Sequence, residues 1–297
     1  MAKVWVVGSA NMDAVFHVRS FPAPGETVTG ASLAHFAGGK GANQAVAAAK
    51  LAADVVFVGA VGNDPSGDAL IQALQSAGVD TGPCIRASSP TGAAAIFVND
   101  DGENMIVVAS GANNEVSPAH VRNSVPFGAD VVLCQLETPI EAMLAAKERG
   151  RVILNPAPAR PLPTGALDGL LAVTPNQVEA AALSGREGPT GDQAKALLDL
   201  GVQNVVVTLG SAGCYWTDGK SELKVPGIPV KAVDTTAAGD CFNGAMARFL
   251  ATGETFPESL PKANLAAAIS VTLPGAIGSL PSWEEFAKFA DKHGHQL

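Results

Sequence analysis

Short apolar runs recur along the chain at Val4–Gly8, Val55–Ala60, Val131–Gln135, Val152–Asn155, Leu170–Thr174 and Val205–Leu209. Each has the length of a buried strand. Between many of them lie helical patterns with clear punctuation. Asp64 before Pro65 predicts an N-cap and a first helical residue, and Gly78 closes that helix. Ser117-Pro118 opens another in the same way, and Thr138-Pro139 a third that Gly150 ends. Strands alternating with helices predict right-handed βαβ units and an α/β fold, with a mostly parallel sheet covered on both faces.

Two stretches break that rhythm. Residues Ala14–Phe36 carry "FPAPGETVTG", a Pro/Gly turn between extended segments. Residues Thr91–Ser110 place Asp101-Gly102 between two apolar strands, which predicts a hairpin. Together they read as one small β-sheet projecting from the main body as a lid. Its apolar segments, Ala93–Val98 and Met105–Val108, give it an uncovered apolar face and free edges, which favour association. No linker, low-complexity run or internal repeat interrupts the 297 residues, so a single domain spanning 1–297 is expected, with the lid at about 14–36 and 91–110.

Composition narrows the class. A net charge of −9 argues against a nucleic-acid partner, which needs a basic face. It leaves room for an anionic small substrate in a local cradle. The cysteines at 84, 134, 214 and 241 are scattered and contain no C-x-x-C pair, so reduced thiols in a cytoplasmic protein are the simplest expectation. The apolar core of "MAKVWVVGSANMD" is too short for a signal peptide, and no apolar run reaches the length of a membrane span.

The candidate chemistry lies in Gly-rich turns and in polar residues that follow strands. "FAGGKGANQAVAAAKL" is a Gly-Gly turn running into a helix, without Walker spacing. Gly38 and Gly39 would allow close backbone approach to a ligand, with Lys40 and Asn43 facing it. A solvated lysine at a helix start is the alternative. Asn11 and Asp13 follow the first strand, where α/β folds bind ligands, or else form an Asx turn. Glu137 follows the strand at Val131–Gln135 and equally suits a helix N-terminus. In "TPNQVEAAALSG", Asn176 and Glu179 suit a Mg²⁺–water–phosphate network, or an N-terminal capping box. "TLGSAGC" could lie under a nucleotide through Gly210 and Gly213, or make a hairpin turn. A strand-like stretch precedes "VDTTAAGDCFNGAMARFLATG". There the N–H groups of Ala237, Ala238 and Gly239 would meet an anion at a helix N-terminus. Asp240 would then accept a proton from an attacking hydroxyl, unless it is an ordinary first-turn carboxylate.

In this order the motifs carry a family resemblance. "GGKGANQAVAAAKL" resembles the N-terminal signature of the ribokinase-type (PfkB-type) carbohydrate kinases, and "DTTAAGDCFNGA" resembles their C-terminal signature. "FPAPGETVTG", "LETP", "NPAPARPLP", "TPNQVEA" and "TLGSAG" extend the resemblance over essentially the whole chain. It implies a doubly wound αβα sandwich with a β-lid. It also implies an ATP-dependent enzyme that phosphorylates the primary hydroxyl of a small sugar, D-ribose first. Asp240 would be the base, with Ala237, Ala238 and Gly239 as the anion hole. The sugar would be held by Asn11, Asp13, Gly39, Lys40, Asn43 and Glu137. The nucleotide would meet Asn176, Thr208, Gly210, Ser211, Gly213, Gly239 and Asn264. Mg²⁺ accompanying ATP would be organised by Asn176 and Glu179. An activating monovalent cation, K⁺, would lie by Asp234, Thr236, Ser270, Leu273, Gly275 and Ser279, although "TLPGAIGSLP" departs from the pattern there. A homodimer through crossed lids is implied as well. The competing expectations are kinases for 2-keto-3-deoxygluconate, fructose (or its phosphates) or nucleosides, and a sugar- or nucleotide-binding sensor without catalysis. A nicotinamide oxidoreductase is disfavoured by the missing G-x-G-x-x-G.

Overall fold

The computed structural model describes residues 3–294. From the N-terminus, β1 (Lys3–Val7) runs into β2 (Asn11–His17) and β3 (Ser32–Gly38), followed by α1 (Lys40–Lys50) and β4 (Asp54–Val58). Next come the short β5 (Ala60–Gly62), α2 (Pro65–Ser76), β6 (Ile85–Ala87) and the hairpin β7 (Gly92–Val98)–β8 (Asn104–Ala109). The middle of the chain holds α3 (Pro118–Ser124), β9 (Ala129–Cys134), α4 (Ile140–Lys147), β10 (Gly150–Leu154) and β11 (Ala172–Val173). Then α5 (Gln177–Ser184) and α6 (Thr190–Leu198) lead to β12 (Val205–Thr208) and the hairpin β13 (Gly213–Thr217)–β14 (Glu222–Pro226). Helices α7 (Ala238–Ala251), α8 (Phe256–Ser270) and α9 (Trp283–Lys292) follow.

The central sheet has the order β14-β13-β12-β11-β10-β9-β1-β4. It is parallel from β12 to β4, and β13 and β14 join antiparallel at one edge. Residues alternate between two cores, as the period of a strand requires. Val4, Val6, Phe57, Leu133 and Ile153 face α1, α2, α7, α8 and α9. Val7, Val58, Val132, Leu154 and Val207 face α3, α4, α5 and α6. This is the doubly wound αβα sandwich. The chain leaves β1 toward β4 on one side and later adds β9 on the other, so a switch point opens at the carboxyl ends of β1 and β9.

The two insertions form one sheet, in the order β3-β2-β7-β8, with β2 and β7 parallel. Its strands begin nearer the core than expected. Asn11 pairs with Gly38, so Asn11 and Asp13 are strand residues and not an Asx turn. Phe16 stacks on Phe97 at 5.1 Å. Every residue of β8 is exposed, including Met105, Ile106, Val107 and Val108, and so are Leu33 and Phe36.

Capping follows expectation at α2 and α3, where Asp64 and Ser117 accept from the N–H groups of Gly67 and His120. It differs at α4, which begins at Ile140 with Pro139 as its uncapped N-cap. Gly150 does not end that helix but starts β10, where an added Cβ would lie 2.5 Å from the Ala129 carbonyl oxygen. The strand-like stretch before Val233 also differs. Strand β14 ends at Pro226, and Gly227–Ala237 has no regular structure.

Candidate active site

The carboxyl ends of five parallel strands supply polar residues to one place. Ser9 follows β1, Glu137 follows β9, Asn155 follows β10, Thr174 and Asn176 follow β11, and Thr208 ends β12. Helices α1 and α7 pack across them at close range. At Gly244 an added Cβ would lie 2.5 Å from the Gln44 carbonyl oxygen and 2.6 Å from the Ala47 Cβ. That approach brings α1 side chains onto the first turn of α7. Asn43 Nδ2 donates to Asp240 Oδ2 at 2.9 Å, and Gln44 Nε2 donates to Oδ1 at 2.9 Å. Asp240 is therefore buried with both oxygens engaged, which an ordinary first-turn carboxylate at a surface is not.

A cavity of about 230 Å³ opens above this residue. Lys40, Asn176, Glu179, Thr208 and the run Ala237–Asp240 line it. Ala237 is the N-cap of α7 and holds a left-handed conformation, φ 59° and ψ 9°, that a side chain disfavours. Its neighbours refine the expected anion hole. The N–H of Ala238 turns back to the Thr235 carbonyl at 3.3 Å. Those of Ala237, Gly239 and Asp240 have no backbone acceptor among the described residues. An added Cβ on Gly239 would meet nothing within 4 Å, so the peptide edge is open to an anion.

Lys40 is the positive centre of four carboxylates. Asp240 chiefly raises the pKa of its ammonium. Burial opposes this, and Glu137, Glu179 and Asp13 add to it. Burial raises the Asp13 carboxyl to about 7, with Glu137 and Asp240 adding and Lys40 opposing. Burial also raises Glu179, against the hydrogen bond from Asn176 and the charge of Lys40.

Glu137 Oε2 accepts from the Ser9 hydroxyl at 2.5 Å and the Lys40 N–H at 3.0 Å. This ties β9 to β1 and to the start of α1. Gly39, at φ 88°, passes so close to the lid root that a Cβ would lie 2.7 Å from the Asn11 nitrogen. Asn11 Oδ1 accepts from Asn113 Nδ2 at 2.7 Å. Asn43 Oδ1 is buried and has no partner among the described residues, which leaves an acceptor for a ligand hydroxyl. The structure thus gathers Asn11, Asp13, Gly39, Lys40, Asn43 and Glu137 around the lid root and the Asp240 side of the site.

The other candidates lie farther along the sheet. Thr208 bridges to Asn176. Asn176 and Glu179 do form a capping box, each accepting from the other's backbone N–H, and both still line the cavity. Gly210 and Ser211 lie on a single exposed turn beyond β12. Gly213 is buried against the neighbouring strand, where an added Cβ would collide with the Val225 carbonyl. Asn264 on α8 donates to the carbonyls of Val225 and Pro226 at 3.4 and 3.3 Å. None of these four lines the cavity.

Among the described residues no three His, Cys, Asp or Glu side chains converge on a metal position. Asn176 and Glu179 offer one amide and one carboxylate, which fits a magnesium ion that keeps its waters and phosphate ligands but not a protein cage. For the monovalent cation, Asp234 joins two loops. Its Oδ1 accepts from Thr236 N–H and its Oδ2 from Gly275 N–H, both at 2.8 Å. Burial pushes this carboxyl up, but those hydrogen bonds outweigh it and hold it below its ordinary value. Leu273 N–H reaches the Ser270 carbonyl at 3.4 Å, and the Ser279 hydroxyl donates to Ala276 O at 2.9 Å. The loop is therefore drawn together around a carboxylate whose two oxygens accept backbone N–H groups.

Ser9, Gln44, Asn113, Asn155, Thr174 and Asn243 were not singled out from sequence. The available signal was a polar residue at a position whose period makes it face the core, as Gln44 does among the alanines of α1.

A doubly wound sheet, a helix N-terminus with free N–H groups, a buried aspartate in its first turn and a lysine on the same cavity suit phosphoryl transfer to a hydroxyl. The family model described as pfkB family carbohydrate kinase matches residues 1–283. The ribokinase of Haemophilus influenzae is 42% identical over 301 residues, covering 96% of this chain and 97% of the relative. A deoxyribokinase of Salmonella typhimurium is 36% identical over 301 residues, covering 96% and 97%. The structure of Arabidopsis thaliana ribokinase complexed with ribose and ATP matches with a TM-score of 0.88 at 34% identity, covering 97% of this chain and 99% of that one. The chain belongs to the pfkB family of carbohydrate kinases.

Proposed function

We propose that this protein transfers the γ-phosphoryl group of ATP to the primary hydroxyl of D-ribose, giving D-ribose 5-phosphate and ADP. The observation that carries the reading is Asp240. It is buried, oriented through both oxygens, and follows directly on the open N–H edge of Gly239. Asp240 takes the hydroxyl proton as the sugar oxygen bonds to phosphorus, and the bond to the ADP oxygen breaks. The N–H groups of Gly239 and Asp240 stabilise the charge that spreads over the phosphoryl oxygens, and Lys40 adds its ammonium. Asn11, Asp13, Gly39, Asn43 and Glu137 hold the sugar. Asn176 and Thr208 contact the phosphates, with Gly210, Ser211, Gly213 and Asn264 forming the nucleoside rim. Asn176 and Glu179 would hold a magnesium ion accompanying ATP, which would supply neutralisation of the phosphate charge. The loop around Asp234 would hold a monovalent cation, which would supply positive charge behind the cradle. The chain acts as one domain whose lid covers the sugar, and the exposed lid face pairs two copies.

The test is an ADP-release assay with ATP against D-ribose, 2-deoxy-D-ribose, D-fructose, 2-keto-3-deoxygluconate and nucleosides. D-Ribose is expected to give the highest kcat/KM. The relative named deoxyribokinase makes 2-deoxyribose the second reading. A higher kcat/KM for that sugar would replace ribose, and no turnover with any sugar would favour a binding protein.

A further inference from the structure

Beneath the cavity a circuit of buried polar groups begins and ends at Asp240. Gln44 Nε2 is shared between Asp240 Oδ1 at 2.9 Å and Asn155 Oδ1 at 3.0 Å. Asn155 Nδ2 donates to the Thr174 carbonyl at 3.1 Å, and the Thr174 hydroxyl donates to Asn243 Oδ1 at 2.5 Å. Asn243 Nδ2 donates to the Gly239 carbonyl at 2.8 Å. Gly239 is covalently joined to Asp240, so the circuit closes. A branch enters from β9, where Gln135 Nε2 donates to Gln44 Oε1 at 2.6 Å.

Gln44 is fully buried and does not line the cavity. It sits on α1 among buried alanines and a valine, where an apolar residue would be the ordinary choice. With an apolar side chain, Asp240 Oδ1, Asn155 Oδ1 and Gln135 Nε2 would each lose a partner. A buried network of this kind adds little net stability but holds its members in one arrangement. Here the members are the two groups that must be aligned. One end of the circuit sets the plane of the Asp240 carboxylate. The other grips the Gly239 carbonyl, and that planar peptide unit carries the Asp240 N–H on its opposite edge. The same hydrogen bonds therefore orient both the base and an N–H donor of the anion cradle.

We infer that Gln44 is a positioning residue for phosphoryl transfer, aligning Asp240 and the cradle through the Asn155–Thr174–Asn243 circuit. The inference rests on the proposed role of Asp240 as base. Misplacing reacting groups by about 1 Å costs on the order of a hundredfold in rate, so Gln44→Leu should lower kcat by roughly 10- to 100-fold. KM for sugar and for ATP should change less than about threefold, because Gln44 touches neither ligand. Gln44→Glu keeps the size and the acceptor toward Gln135 but turns a carboxylate on Asp240. It should lose at least as much kcat with the same KM pattern. In the double variant Gln44→Leu/Asn243→Leu the two losses should not multiply, because both break one circuit. Thermal melting and nucleotide affinity confirm that each variant is folded. A folded Gln44→Leu with near-parent kcat overturns the inference, as does a raised KM in place of a lowered kcat. Unfolding of both Gln44 variants also overturns it, since Gln44 would then be a packing residue. Asp240→Asn, measured alongside, separates the two levels. If it retains turnover, the base assignment fails; if it alone is inactive, only the role of Gln44 fails.

Discussion

The central sheet and the lid sheet are made from the same side chains, chiefly Val, Ala, Ile and Phe, yet their surroundings differ. Every parallel strand of the central sheet has helices on both faces. The lid has a stacked Phe16–Phe97 pair within it, but β8 is exposed throughout. The central sheet buries its surface within one chain, so it supplies stability and a rigid base for Asp240. The lid carries Asn11 and Asp13 on a strand that reaches into the site, while its outer part is exposed. The proposed base thus sits against the buried core, and the proposed sugar ligands Asn11 and Asp13 sit on the more exposed lid sheet.

Substitutions should separate the two. The largest effect is expected on the anchored side, where Asp240→Asn keeps the shape and removes the base. Turnover should fall roughly 10²–10⁴-fold, the usual range for general-base loss, with ATP affinity little changed. Steady-state kinetics with calorimetry of ATP binding checks this, and near-parent turnover would reject the assignment.

Phe57 is fully buried in the core beside α1 and α2. Phe57→Ala should cost about 3–5 kcal/mol in a denaturant titration, the range for deleting a buried aromatic ring. Ile106→Asp on the exposed lid should alter global stability by less than about 0.5 kcal/mol. In the ultracentrifuge, however, it should shift the protein from dimer toward monomer. If Ile106→Asp unfolds the chain, or the parent is already a monomer at tens of micromolar (an order-of-magnitude working range), the contrast between the sheets fails.

A third contrast lies inside the site. Asp13→Ala should weaken sugar binding by about 1–3 kcal/mol, because hydroxyls are left without their acceptor. ATP binding should persist. Calorimetry showing the reverse would exchange the two subsites.

The smallest effect is on pH dependence. Burial with Glu137 and Asp240 raises Asp13 from an ordinary 3.8 to about 7, so the folded chain holds a proton that the unfolded chain releases. Stability contributed by this group is present at low pH and is lost as pH rises from about 4 to 7. Asp13→Asn should therefore be more stable than the parent above pH 7, by about 1–2 kcal/mol after solvent screening of a half-buried group. The difference should vanish near pH 4. Urea titrations at pH 4, 6 and 8 measure it, and a pH-independent difference would remove Asp13 as its source.

Much of this architecture was legible before any coordinates. The six apolar runs all became strands of the central sheet, because burial on both faces demands continuous apolar segments. Asp64-Pro65 and Ser117-Pro118 started helices through local hydrogen bonds. Gly150 misled because glycine serves two needs, a left-handed helix end and a close strand contact, and the sequence does not say which. Of the antiparallel edge, only the turn between β12 and β13 was anticipated, as a hairpin turn within Thr208–Cys214. Asn176 and Glu179 form the capping box and also line the cavity, so the local reading does not exclude a place beside a ligand.

By itself the sequence determined the periodic elements, the two β-rich insertions and the position of Asp240 at the start of a helix, since each depends on residues a few positions apart. Only the tertiary structure decided which distant polar groups meet. Asn43 and Gln44 reach Asp240 across nearly 200 positions, at |i−j| of 197 and 196, because Gly244 lets two helices touch. Asp13 acquires its high pKa only where a lid strand is buried against the site and enters the field of Glu137 and Asp240. Such contacts depend on how closely elements pack, and local sequence pattern carries no measure of that distance.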